Sequence, residues 1–372
     1  SLAVVRVFVD AVPTHYLTPC AQVTSLTVNA GSGGGNLIEL GGVGGAFVEL
    51  GSVTVHGSTG NDLILGSPKP DWITWNPGGD DDLIDGREGY DTFNFNAANI
   101  GEIVTMNANG AAFRIQRDVA AVDLEGTNVE SVTLTLLAGA DALTVGDLTG
   151  VAGLELVTIA AGADADLVDA SAQAAAGIVL VIGGGAGDDT LYGGAGADTL
   201  LGGIGADTID AGAADDELLW YQGDGNDTLQ GGGGVDALFF NGAAVAETVS
   251  ISPEGSGFDL FRDLDLVLLD VDAVETLVVA LGAGDDNVYT DALVATTQYL
   301  DGSYHALRDR LEIDALGNCV TLAPGQVLVD GHAPIHYSGF EEHAIYETCW
   351  GELIFADGFE LGSTLLWSAV TP

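Results

Sequence analysis

Residues 184–210 repeat one nine-residue unit three times without a gap, as GGAGDDTLY, GGAGADTLL and GGIGADTID. Glycine occupies the first, second and fourth positions, aspartate the sixth, and a branched apolar residue the eighth. Glycine permits sharp turns and close backbone approach, so carbonyl oxygens can converge beside the aspartate. Carbonyl and carboxylate oxygens are the ligands that calcium prefers. The spacing therefore predicts a series of calcium-binding turns.

The candidate calcium ligands are the turn glycines and the sixth-position aspartates. In the three perfect units they are Gly185, Gly187, Asp189, Gly194, Gly196, Asp198, Gly203, Gly205 and Asp207. Aspartates in less regular turns extend the set to Asp62, Asp82, Asp91, Asp141, Asp166, Asp216, Asp227, Asp236 and Asp286. Lys69 and Ala214 replace the fourth-position glycine before Asp71 and Asp216. We expect these two turns to be weak, and loss of Asp198 to matter more than loss of Asp216.

The unit resembles the RTX (haemolysin-type) nonapeptide, whose consensus is G-G-x-G-x-D-x-U-x. The resemblance implies an all-β fold, a parallel β-roll or β-solenoid in which two nonapeptides form one coil. It also implies that the turn of Asp189 stacks on that of Asp207, and Asp198 on Asp216, with several Ca²⁺ ions between stacked turns. The eighth-position residues would then point into the coil.

Residues 57–143 and 202–288 align with each other without a gap. Asp62 corresponds to Asp207, Glu102 to Glu247, and the pair Arg117-Asp118 to Arg262-Asp263. Internal similarity of this kind is typical of stacked repeat architectures. It predicts a tandem duplication in which the Arg-Asp pairs have a structural role. After the nonapeptides, each copy alternates apolar and polar residues, which predicts broader β-coils or a small sheet.

The predicted organisation has five parts. They are N-terminal strands or a cap (1–56), the first copy (57–143), connecting coils with nonapeptides (144–201), the second copy (202–300) and a C-terminal cap or interaction region (301–372). Between the copies, three segments should stack: Val132–Asp141, Val157–Asp166 and Leu180–Asp189. The alternating run Val4–Val9 predicts a strand that could add to a neighbouring chain.

The chain of 372 residues carries 55 Asp or Glu against 8 Lys or Arg, for a formal net charge of -47. Such a surface repels nucleic acid and anionic membranes, so we expect neither nucleic-acid binding nor membrane insertion. A hydrophobic content of 47% and a mean hydropathy of +0.32 argue against an acidic disordered chain. Halophilic adaptation is the alternative source of the charge, although it would scatter carboxylates over the surface. The start at Ser1 fits a mature secreted chain or a trimmed one.

The cysteines, two of the tryptophans and the C-terminal histidines are predicted to have structural roles. Cys319 and Cys349 are the expected disulfide, which leaves Cys20 free or paired with another chain. Trp75 and Trp220 should pack over a corner, with sugar stacking as the alternative. A transition-metal site is the less favoured reading of the C-terminal histidines, which are His332, His336 and His343.

These features together predict a secreted calcium-binding structural protein of the cell surface or extracellular matrix. We expect head-to-tail self-association into a filament or layer, and no catalytic residue is assigned. The alternative is a calcium-dependent adhesin or carbohydrate-binding module that recognises a glycan or surface partner. A β-helix enzyme acting on polysaccharides is the third hypothesis.

Overall fold

The computed structural model describes residues 4–356 apart from 10–11, 20–23, 31–33, 42, 44–49, 79, 294, 303, 306–308, 317, 341 and 347–352. The described residues are almost all in β-strands or turns, and among them no α-helix is present. The all-β prediction is therefore confirmed. The chain divides into two compact units, Ser1–Ala237 and Leu238–Pro372.

The first unit contains strands β1 to β22. They are β1 Val4–Val9, β2 Val12–Pro19, β3 Leu26–Asn29, β4 Leu37–Glu39, β5 Val53–His56, β6 Leu63–Leu65, β7 Asp71–Trp75, β8 Leu83–Asp85, β9 Thr92–Asn96, β10 Ile103–Asn109 and β11 Ala112–Arg117. They continue with β12 Val122–Thr127, β13 Ser131–Thr135, β14 Ala142–Val145, β15 Leu156–Ala163, β16 Leu167–Asp169, β17 Val179–Ala186, β18 Thr190–Tyr192, β19 Thr199–Ile204, β20 Thr208–Ala213, β21 Glu217–Tyr221 and β22 Thr228–Gly233.

Successive coils of the first unit build two long parallel sheets. One runs β3-β5-β7-β9-β13-β15-β17-β19-β21, and every adjacent pair in it is parallel. The other contains the parallel runs β4-β6-β8 and β14-β16-β18-β20-β22. Successive strands thus alternate between the two sheets, so each coil contributes one strand to each sheet, which is the arrangement of a parallel β-solenoid.

The eighth-position residues of the nonapeptides form the core, because each stacks on its equivalent one coil away. Leu191 lies beside Ile209 and Leu200 beside Leu218 in the strand registers. Their side chains are at most 1% exposed. The segments beginning at Val132, Val157 and Leu180 also stack in register, as predicted.

A three-stranded antiparallel ribbon interrupts the parallel order. In the first copy it is β10-β11-β12, which joins β8 on one side and β14 on the other. A 3-10 turn at Val119–Ala121 links its last two strands, with Ala120 at a φ of +63°. This ribbon is the small sheet that the alternating sequence after the nonapeptides predicts.

The second unit repeats the ribbon and then continues with parallel strands. Its strands, after β23 Ala237–Asn241 at the division, are β24 Thr248–Glu254, β25 Gly257–Arg262, β26 Val267–Asp272, β27 Thr276–Ala280, β28 Ala283–Gly284, β29 Asn287–Asp291, β30 Thr297–Asp301, β31 Tyr304–His305, β32 Arg310–Asp314, β33 Val320–Ala323, β34 Gln326–Val329, β35 Ile335–Ser338, β36 Glu342–Tyr346 and β37 Leu353–Ala356. β24-β25-β26 is antiparallel, with a 3-10 turn at Leu264–Leu266. Parallel pairs β29-β32 and β30-β35 run past residue 300, so the stacked coils extend into the predicted C-terminal region. The five-part domain division stays a prediction.

The strand Val4–Val9 and the cysteines lie towards the two ends of the chain. Val4–Val9 is a strand, as predicted, and it pairs antiparallel with β2 in a separate two-stranded sheet. Cys319 is disulfide-bonded. Cys20 and Cys349 lie outside the described residues, so the Cys319–Cys349 pairing stays a prediction. No helix in the described part of the chain is long and apolar enough to cross a membrane.

Candidate calcium sites

The sixth-position aspartates are joined from coil to coil by backbone hydrogen bonds. The Asp189 amide donates to Oδ1 of Asp207 at 2.8 Å, and the Asp198 amide donates to Oδ1 of Asp216 at 2.7 Å. These bonds confirm the predicted stacking of both pairs of turns. Each aspartate therefore uses one oxygen to hold the neighbouring coil.

The same bond recurs along the stack, and we call each continuous series a carboxylate ladder. In the first unit the ladders include Asp62-Asp82, Asp71-Asp91, Asp141-Asp166-Asp189-Asp207-Asp227 and Asp198-Asp216-Asp236. In the second unit the Asp286 amide donates to Oδ1 of Asp309 at 2.9 Å. Asp309 is not among the carboxylates that the nine-residue spacing predicts. Its spacing from Asp286 equals that of Asp189 from Asp166, and this equality could have identified it.

The second carboxylate oxygen of many ladder aspartates is buried without a hydrogen-bond donor. This is true of Oδ2 in Asp91, Asp141, Asp166, Asp189, Asp207, Asp216 and Asp286. These residues are at most 4% exposed. An ionised oxygen in such a place is costly unless a cation or a proton compensates it. The ladders thus need positive charge, and the chain has only 8 Lys or Arg residues to supply it.

The first-position glycine at Gly184 leaves no room for a side chain, because oxygen atoms lie close to its Cα. A Cβ added at Gly184 would meet Oδ2 of Asp189 and lie 2.6 Å from the Gly202 carbonyl oxygen. A carboxylate oxygen from one turn and a carbonyl oxygen from the next coil therefore converge on the same point. This donor set fits Ca²⁺, which takes carboxylate and carbonyl oxygens in flexible geometry.

The second- and fourth-position glycines hold the backbone of the turns. Gly185 and Gly203 have φ of +111° and +98°, a backbone conformation that residues other than glycine rarely adopt. A Cβ at Gly203 would strike the carbonyl oxygen of Gly185, and one at Gly205 would strike that of Gly187. Ala214 adopts a φ of +86° at the corresponding position before Asp216. The turn at Asp216 thus keeps the glycine-like backbone despite its alanine.

In three turns the backbone amide of the second residue donates a hydrogen bond to Oδ2 of the aspartate. We call a carboxylate with such a donor closed, and one whose Oδ2 has no donor open. Oδ2 accepts the amide of Ser58 at Asp62, of Ser67 at Asp71 and of Gly194 at Asp198, at 2.5, 2.6 and 2.8 Å. The three perfect nonapeptides are therefore not equivalent. The turn containing Gly194 and Gly196 is closed, whereas those of Asp189 and Asp207 leave Oδ2 without a donor.

The open carboxylate of Asp216 favours the opposite ranking of Asp198 and Asp216 from the one that the glycine spacing predicts. On this basis we expect Asp216→Asn to weaken calcium binding more than Asp198→Asn, by about tenfold, since Oδ2 of Asp216 has no protein donor. Asparagine keeps the Oδ1 acceptor, so both variants retain the coil-to-coil bond. Isothermal titration of the two variants measures the difference. Equal affinities would mean that open and closed carboxylates take calcium alike.

Burial raises the pKa of most ladder aspartates. The pKa is raised to about 7 at Asp82, Asp91, Asp216 and Asp227, and to about 6 at Asp71, Asp141, Asp166, Asp207 and Asp286. Desolvation is the largest cause in every case, and accepted backbone hydrogen bonds lower these values. Negative neighbours add to the rise at most of these positions. Protons and calcium ions therefore compete for the same oxygens.

The other sequence candidates have structural roles. Trp75 is 2% exposed, and its ring stacks on Phe95 with the centroids 4.9 Å apart. Trp220 is buried as well, so neither indole offers a face to a sugar. Arg117 pairs with Glu102 and not with the adjacent Asp118, which instead accepts the Ile103 amide at 2.9 Å. The burial of the tryptophans supports the packing interpretation.

The histidines contribute no visible metal centre. His336 stacks on Tyr299, and Nδ1 of His332 lies 3.0 Å from the Asp330 carbonyl oxygen. The side chain of His343 lies outside the described part of the structure. Where side chains are described, no group of three His, Cys, Asp or Glu could hold a metal ion.

Stacked parallel coils with buried carboxylate ladders define a calcium-binding β-solenoid. The repeat is the RTX calcium-binding nonapeptide, whose family model matches four copies at residues 51–74, 183–218 and 223–243. RTX nonapeptides bind Ca²⁺ at multiple sites, and the matched segments contain ladder aspartates such as Asp189, Asp198 and Asp207. The segment 223–243 lies in the second duplicated region, 51–74 overlaps the start of the first, and 183–218 contains the three perfect units.

Comparison with curated proteins gives no match. Among solved structures, the extracellular lipase LipA from Serratia marcescens aligns with 17% sequence identity and a TM-score of 0.17. The alignment covers 78% of this chain and 38% of the lipase. The chain thus spans well under half the length of that enzyme, and no property of the lipase is carried over.

Proposed function

We propose that this protein is an extracellular structural protein that calcium folds and that associates head to tail with copies of itself. The observation that carries the first part is the set of buried ladder oxygens without donors. Such a fold needs a calcium-rich medium, since weak calcium sites fill at the millimolar concentrations found outside cells. Proteins with RTX repeats are typically secreted, which supports the same location.

An open strand edge in the first unit supports self-association. β3 pairs with β5 on one side, and among the described strands none pairs with its other side. Its inward residues Leu26 and Val28 are only half-buried, whereas Val53 and Val55 of β5 are fully buried. An uncovered strand edge with apolar side chains is a template for another chain. Contact between unlike ends that does not close produces a filament.

β3 is a candidate docking edge in addition to Val4–Val9. Each of these strands pairs on one side within the chain, β1 with β2 and β3 with β5. In β3 the Ala30 amide donates to the His56 carbonyl of the neighbouring coil, so the alternating amides of Thr27 and Asn29 face the open side. Head-to-tail docking would use these two amides as ladder donors.

Thr27→Pro is expected to keep the chain monomeric in calcium, because proline removes an outward-facing donor without breaking a bond within the chain. Thr27→Val is the matched control, since it keeps the amide. Light scattering at increasing protein concentration in saturating calcium measures the mass. The wild type and Thr27→Val should grow beyond the monomer mass. A wild type that stays monomeric, or a Thr27→Pro variant that assembles equally well, would refute the proposed association.

A further inference from the structure

Glu102 occupies a ladder position in a coil that lacks the nonapeptide. Its amide donates to Oδ1 of Asp141 at 2.7 Å, and its Oε1 accepts the Ala98 amide at 2.9 Å. Asp198 makes the same two bonds, to Asp216 and from Gly194. Glu102 is therefore a closed ladder carboxylate, with one more methylene than aspartate.

The longer side chain lets Glu102 meet a cation from the same chain. Nε of Arg117 donates to Oε2 of Glu102 at 2.6 Å, and Nη2 of Arg117 donates to Oε1. The side chains are 3% and 0% exposed. The guanidinium also lies over the Trp75 ring, 5.7 Å from its centroid. It reaches this place from β11 of the antiparallel ribbon.

The second copy contains the same arrangement. The Glu247 amide donates to Oδ1 of Asp286 at 3.0 Å, and the Ala243 amide donates to Oε1 of Glu247 at 2.8 Å. Nε of Arg262 donates to Oε2 of Glu247, and both side chains are 0% exposed. Each ribbon therefore delivers one buried arginine to one ladder carboxylate.

We propose that Arg117 and Arg262 are built-in cations that take the place of calcium at these two ladder positions. A guanidinium matches a carboxylate with two parallel hydrogen bonds and stays charged at every physiological pH. Because it is covalently attached, it compensates Glu102 and Glu247 at any calcium concentration. The ribbon coils therefore need no ion at these carboxylates, unlike the coils of Asp189 and Asp207. This inference rests on the calcium ladders and is independent of self-association.

The number of bound ions tests the proposal directly. Native mass spectrometry in calcium counts the ions on the full chain, on Glu102→Gln/Arg117→Met and on Asp189→Asn. The double variant buries no unpaired charge and keeps the acceptor for Ala98, so it should fold and bind as many ions as the wild type. Asp189→Asn should bind fewer. A double variant that loses an ion would show that calcium also sits at Glu102 and would overturn the proposal.

The calcium requirement for folding provides a second test. Arg117→Met leaves Glu102 buried and uncompensated, so the calcium concentration at half-folding should rise about tenfold or more. Arg114→Met is the matched control, because Arg114 lies on the same strand in a partly exposed pair with Asp123. Its midpoint should stay within about twofold of the wild type. Equal shifts in the two variants would refute the role of Arg117, and the double variant serves if Arg117→Met does not fold.

Discussion

Chelation of calcium at neutral pH is expected to remove most of the β-structure, and renewed calcium is expected to restore it. The reason lies in the ladder oxygens that no protein donor reaches, such as Oδ2 of Asp189, Asp207 and Asp216. Leaving a buried polar atom unsatisfied costs about 1–3 kcal/mol, and more when it is charged. The cost over the ladders is comparable with the 5–15 kcal/mol by which a typical domain is stable. The stacked aspartates would also repel one another without an ion between them.

Far-ultraviolet circular dichroism during chelation and calcium titration measures this effect. Magnesium is the informative control, since its smaller ion demands near-octahedral geometry and keeps its waters. It should restore much less structure than calcium at the same concentration. A spectrum that does not change after exhaustive chelation, or one that magnesium restores fully, would contradict a calcium-dependent fold.

Acidification is expected to stabilise the calcium-free chain. Burial raises the pKa of Asp91 and Asp216 to about 7, while an aspartate of the unfolded chain titrates near 4. The folded state therefore binds more protons than the unfolded state between these values, so stability falls as pH rises through this range. The stability that these carboxyls contribute is greatest below about pH 4 and is lost by about pH 7. In chelator, the chain should therefore regain at pH 5 β-structure that it lacks at pH 8.

The same competition weakens calcium binding in acid, because protons occupy the ladder oxygens below pH 6 to 7. Circular dichroism in chelator measures the folding of the calcium-free chain, and calcium titrations measure binding, both at several pH values. Asp216→Asn is the control, since it removes one titrating group and should flatten the pH dependence of calcium-free folding. A calcium-free chain with no more β-structure at pH 5 than at pH 8 would show that the ladder carboxyls do not dominate its stability.

The carboxylates of the ladders were largely predictable from sequence, but their chemical state was not. Asp189, Asp198 and Asp207 occupy the same position of the nine-residue unit. Only Asp198 among these three is closed, by the Gly194 amide. The closing bond depends on how the backbone of each turn settles against the next coil. Ala214 likewise accepts a glycine-like φ that its residue type disfavours. Local patterns do not encode either outcome.

The repeat by itself determined the all-β class, the inward residues, the stacked turns and the calcium chemistry. These features follow from short-range rules: glycine permits the turn, aspartate supplies an oxygen, and the constant period places Leu200 on Leu218. Only the tertiary structure decided that Arg117 pairs with Glu102 and that Glu102 joins the ladder of Asp141. These contacts join residues that are 15 and 39 positions apart in the sequence. Their formation depends on the three-stranded ribbon bringing a buried guanidinium to a carboxylate that would otherwise need another cation.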